Sequence, residues 1–142
     1  MDTWIGVALA LFVGRSATLI GLDRDRAFYP TIMCVIASLY ALFAVMGGSL
    51  HALAMESIPM LAFLVVSIAG FKRSLWLVVA ALAMHGAFDF LHGNLIANFG
   101  VPPWWPRFCL AYDVVAAAYL ALLLSRSRIR AAAEHPVRSV GP

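Results

Sequence analysis

The sequence predicts an all-α polytopic membrane protein, a bundle of five transmembrane helices with the N-terminus outside and the C-terminus in the cytoplasm. Three observations predict it. Of 142 residues, 63% are hydrophobic and 12% are charged, and the mean hydropathy is +0.91. A soluble domain carries about 25% charged residues, and a chain this short needs polar side chains to cover its large wet surface. The apolar residues form five runs, each close to the ~20 residues that a helix needs to cross ~30 Å of hydrocarbon. The basic residues cluster in alternate connections. This composition excludes a soluble globular enzyme, a disordered chain and a nucleic-acid partner. The lipid bilayer is the expected surrounding.

Span one covers about residues 3–21. It opens on Met1-Asp2-Thr3-Trp4 with no basic residue, so it reads as a retained helix and not as a cleaved signal peptide. Asp23-Arg24-Asp25-Arg26 leads into span two, residues 27–46. Gly47-Gly48-Ser49 supplies a tight turn, because glycine tolerates the backbone angles a turn demands. Span three follows at 51–70, and Lys72-Arg73 connects it to span four at 74–93. The longest loop holds Pro102-Pro103-Trp104-Trp105-Pro106. Paired tryptophans at a span edge suit the headgroup region. Span five covers 108–125. Residues 1–125 thus make the five-helix domain, and 126–142 make a basic cytoplasmic tail. Continuous apolar runs argue against strands, which would alternate.

With five spans, Arg24/Arg26, Lys72/Arg73 and Arg126/Arg128/Arg130 all fall on one side. Positive loops stay inside, which orients the chain and fits the inner (plasma) membrane of a bacterium. Arg107 is then a basic residue of the outer side.

The informative side chains are ionisable groups within spans. Such groups are costly in lipid and usually face the bundle interior. They are Arg15, His51, Glu56, His85, Asp89, His92 and Asp113. Arg15 can snorkel toward the Arg24/Arg26 side. On a ruler of ~1.5 Å per residue, Glu56, Asp89 and Asp113 lie roughly 5–8 Å outward of the midplane. His85 lies near the midplane, and His51 and His92 lie nearer the outer mouth. On span four, His85, Asp89 and His92 follow the i, i+4, i+7 spacing of one helix face. On span five, Cys109, Asp113, Ala116 and Leu120 share a face, with Tyr112 beside it. His51 and Glu56 sit about 140° apart on an ideal helix, so they share a site only if span three distorts near Pro59. Cys34 and Cys109 form no CxxC, and both read as small apolar packing residues.

Carboxylates and imidazoles together suit zinc, iron, manganese or copper. The expected ligands are His85, Asp89, His92, Asp113 and Glu56. His51, Tyr112 and Arg15 are secondary candidates. A short HxxxD also occurs in the transport helices of cation diffusion facilitators, and a His/Asp cluster occurs in ceramidase-like membrane hydrolases. Each likeness rests on a few residues, and neither assigns a family. Three functions compete. The leading one is a site open to the outer side that binds, and beyond that transports, a cation, either a transition metal or a proton. A homo-oligomer or larger membrane complex is expected, since five spans are few for a complete transporter. The second is a membrane-embedded, metal-dependent hydrolase acting on a lipidic substrate. The third is an accessory subunit with haem or pigment on His51, His85 or His92.

Overall fold

The computed structural model describes residues 1–130, and the rest of the expected tail lies outside the described residues. The described chain is all helical. Helix α1 is Asp2–Ile20, α2 is Phe28–Met46 and α3 is Leu50–Lys72. Helix α4 is Trp76–Leu95 and α5 is Trp105–Ser125, with a single 3-10 turn at Leu22–Arg24 between α1 and α2. All five helices are long and apolar enough to cross a membrane. Their outward faces carry Trp4, Phe12, Leu19, Ile58 and Phe90, each more than half exposed. Such surfaces are unaffordable in water at this density, and they support an integral membrane protein.

Local chemistry sets the ends. The Ser49 hydroxyl accepts the Ala52 N–H (3.1 Å) and caps α3. Helix α3 runs unbroken through Pro59. His51 and Glu56 therefore stay on different faces. Helix α5 starts at Trp105, three residues before the start expected from the sequence, and Pro106 sits in its first turn. A proline there costs little, because first-turn N–H groups have no helical partner anyway.

Helices α4 and α5 pack along their lengths, α2 packs on α3 and α4, and α1 leans on α5. The inner face of α1 is Gly6, Ala10, Gly14 and Ala17. A Cβ on Gly6 would run into the carbonyl oxygen of Phe108. Small residues of this kind allow backbones to approach where hydrocarbon offers no hydrophobic drive.

The odd-numbered connections meet at one end of the bundle. Arg26 Nη1 donates to the Arg130 carbonyl (2.6 Å), and its Nη2 donates to the Phe71 carbonyl (3.0 Å). One guanidinium thus ties the α1–α2 connection to the end of α3 and to the segment after α5. The three basic clusters gather there. At the opposite end the α4–α5 loop folds onto α2. Gly100 lies so close to the Phe43 carbonyl that no Cβ fits. Between the two ends, in the half nearer the basic end, Met33, Val78, Leu82 and Leu120 are fully buried in one apolar cluster.

Candidate metal centre

Two i, i+4 pairs on neighbouring helices build the centre. His85 and Asp89 lie one turn apart on α4, and Cys109 and Asp113 lie one turn apart on α5. Residues at this spacing share a helix face. Because α4 and α5 pack face to face, the two pairs meet. One ligand atom from each of the four residues lies within 4.8 Å of the others. His85 Nδ1 donates to Asp113 Oδ2 (2.7 Å) and lies 3.5 Å from Asp89 Oδ2. The Cys109 thiol points at Asp113 Oδ2 (3.9 Å). Tyr40 of α2 donates its hydroxyl to Asp89 Oδ1 (2.7 Å). Exposure of the four is between 0% and 2%, so all four are buried.

Asp89 Oδ2 and Asp113 Oδ1 are buried without a hydrogen-bond partner among the described residues. Such atoms are rare, because an unsatisfied buried acceptor forfeits its hydration. Two orphaned carboxylate oxygens, an imidazole and a thiol are the donor set of a transition-metal site. The buried group could hold a metal ion. The ion would supply the positive charge that the carboxylates lack and would replace protons on His85 Nδ1 and Cys109 Sγ.

A second cluster sits one helical turn nearer the tryptophan end. His92 Nε2 donates to Glu56 Oε1 (2.6 Å), and the Asn98 amide donates to the same oxygen (2.9 Å). Asn98 also donates to the Tyr40 carbonyl (3.1 Å). The Tyr40 ring stacks on His92, with centroids 3.9 Å apart and planes 17° apart. Tyr40 thus touches both clusters. It donates to one through its hydroxyl and packs on the other through its ring.

The expected site residues divide accordingly. His85, Asp89 and Asp113 converge. Glu56 and His92 pair with each other beside that group, although Glu56 shares its depth with Asp89. Tyr112 is buried next to Cys109, and both line an apolar cavity of about 360 Å³ between α1, α2 and α5. His51 and Arg15 are exposed on α3 and α1. Cys109, read from the sequence as a packing residue, stands among the four metal-capable groups. Its signal was the face it shares with Asp113. Tyr40 and Asn98 carried no comparable signal, since each lies alone in its segment. Cys34 and Cys109 are both free cysteines.

Two cavities reach these clusters at the tryptophan end. One, of about 430 Å³, is lined by Asp89, Asn94, Pro103, Arg107 and Leu110 among others. The other, of about 320 Å³, is lined by His92, Asn98 and the α4–α5 loop. Both share Gly93, Pro103 and Pro106. The aromatic pair Trp104–Trp105 borders this end, with ring centroids 5.5 Å apart. Trp104 is the exposed member, whereas Trp105 turns inward onto Phe43.

No protein-family model matches the chain, and no curated protein or solved structure matches it.

Proposed function

We propose that this integral membrane protein binds one transition-metal ion at His85, Asp89, Cys109 and Asp113, and that the ion reaches the site from the tryptophan end. The observation that carries this reading is the convergence of four ligand atoms within 4.8 Å, two of the residues leaving carboxylate oxygens without partners. A mixed nitrogen, oxygen and sulfur set favours zinc-like ions over hard ions such as magnesium or calcium. Access from the tryptophan end is supported by the Asp89-lined cavity. Toward the other end Met33, Val78, Leu82 and Leu120 are packed to complete burial. That apolar plug favours holding an ion over conducting it. The basic end, gathered around Arg26, would face the cytoplasm by the positive-inside rule. The N-terminus and the metal-side mouth would then face outward.

Elemental analysis tests the proposal. The purified parent, loaded with zinc and desalted, should retain about one ion per chain, the count that a single four-ligand site allows. Asp89→Asn and Asp113→Asn should retain almost none, and His51→Ala should match the parent. Binding should weaken as pH falls, because protons compete for the same ligand atoms. A folded parent that retains no zinc, iron, manganese or copper under any loading condition would refute the reading.

A further inference from the structure

Two cavities border the metal centre described above, an apolar one at Cys109 and one carrying polar side chains at Asp89. Asp89 is 1% exposed, yet it lines the cavity of about 430 Å³ at the tryptophan end, and its Oδ2 has no hydrogen-bond partner. A carboxylate that ligates an ion from this wall places the ion directly behind the cavity. The other polar side chains of the lining are Asn94 and Arg107. Both offer N–H donors. The guanidinium presents five in a planar fork that matches a carboxylate or phosphate.

Backbone polarity points the same way. Pro106 and Arg107 belong to the first turn of α5, so the positive end of that helix dipole faces the cavity. The C-terminal turn of α4 opposite is partly neutralised, since the Ile96 N–H occupies the His92 carbonyl (2.9 Å). A metal ion at the back, a guanidinium and an amide at the side, and a helix N-terminus at the rim all demand an electron-rich ligand.

We infer that the metal keeps an exchangeable coordination position facing this cavity, and that Arg107 and Asn94 make the cavity a receptor for an oxyanion head, a carboxylate or a phosphate. This rests on the metal-binding reading and extends it from a closed four-ligand site to one that takes a fifth ligand from the cavity. The anionic oxygen would occupy the open position while its second oxygen takes the Arg107 fork. The cavity adjoins Trp104 and Trp105, which suit the headgroup level. The oxyanion can therefore be a free solute or the head of a membrane lipid, and the chemistry is the same.

Cobalt in place of zinc provides the readout, because its visible absorption reports coordination. The cobalt-loaded full chain is placed in nanodiscs of zwitterionic lipid and titrated with inorganic phosphate and with acetate. A parallel sample uses nanodiscs containing phosphatidic acid. A saturable change in the cobalt bands is expected with the soluble anions if the ligand is a free oxyanion. A change confined to the phosphatidic acid discs identifies a lipid head. Either outcome should weaken about tenfold or more in Arg107→Ala, the loss of a charge-assisted fork. Arg107→Lys should recover part of it, and Asn94→Ala should weaken it several-fold less than Arg107→Ala. No spectral response to any of the three anions would overturn the inference, as would a response of equal affinity in Arg107→Ala. A parent that takes up neither cobalt nor zinc fails at the metal step instead, and the proposed function falls together with the inference.

Discussion

His85 and His92 lie two turns apart on one face of α4, and each meets a carboxylate from another helix, yet their surroundings differ in a way that decides their chemistry. Around His92 two donors meet one oxygen of Glu56, and a single acceptor, Glu56 Oε2, is left without a partner among the described residues. Glu56 Oε1 receives both the imidazole and the Asn98 amide, and Tyr40 stacks on the ring. Around His85 acceptors exceed donors. Two carboxylates crowd one imidazole, with a thiol beside them and two oxygens left over. The first arrangement is nearly satisfied and fastens α2, α3, α4 and the α4–α5 loop together. The second is short of positive charge and is complete only when a cation or protons are added. The same pairing of imidazole with carboxylate, two turns apart on one helix, therefore gives a clasp in one place and a candidate metal centre in the other.

Experiments that break one cluster should leave the other standing. The largest expected effect is on metal content. Asp113→Ala removes the carboxylate that His85 and Cys109 both address, and zinc retention should fall to background. Retention of the parent's zinc by that variant would erase the distinction between the clusters. Next in size is a stability effect without metal loss. Glu56→Ala leaves the buried His92 without its acceptor and takes one of two acceptors from the half-buried Asn98, which should cost about 1–3 kcal/mol. Thermal unfolding should drop clearly while the surviving folded fraction still binds zinc. Smaller again is a change of preference. Cys109→Ser exchanges a soft ligand for a hard one, so zinc affinity should fall about tenfold relative to manganese in competition. The smallest concerns the rejected candidates. His51→Ala and Arg15→Ala lie on exposed positions and should each shift stability by less than about 0.5 kcal/mol with unchanged metal content.

The bundle was legible in the sequence because hydrocarbon imposes a length and a composition that few other contexts share. Five runs gave five helices of such length. The His85–Asp89 turn was legible as well, since i, i+4 spacing is a property of one helix. What spacing could not show is how one helix is rotated against another. Depth along the membrane normal is a single coordinate, and it groups Glu56 with Asp89 and Asp113. The rotation of α3 instead turns Glu56 toward His92 and Asn98. Cys109 shows the same limit from the other side. A solitary cysteine has no motif, and its chemistry comes from His85 and Asp89, which lie on a different helix. Asn98 stands in a loop whose placement depends on Gly100 resting against the Phe43 carbonyl. Pro106, placed in the long loop by the sequence, instead lies in the first turn of α5.

The pairing of α1 with α5 has a consequence for how the protein is made. Thr18 Oγ1 meets Asp23 Oδ2 (2.5 Å) and the Gly14 carbonyl (3.0 Å) within its own end of the chain, but it also meets the Tyr119 hydroxyl (3.0 Å), 101 residues later. A ribosome adding about 5–20 residues per second needs roughly 5–20 s to bring Tyr119 into being after Thr18. Throughout that interval the Gly6–Ala10–Gly14–Ala17 face of α1 has been synthesised and its partner has not. Until α5 is made, that face lacks the helix it packs on in the finished fold. A pause, a truncation before α5 or a misinserted α5 would leave that notched face open to other small-residue helices in the same membrane. Completion of α5 is thus the step that covers the small-residue face of the first helix.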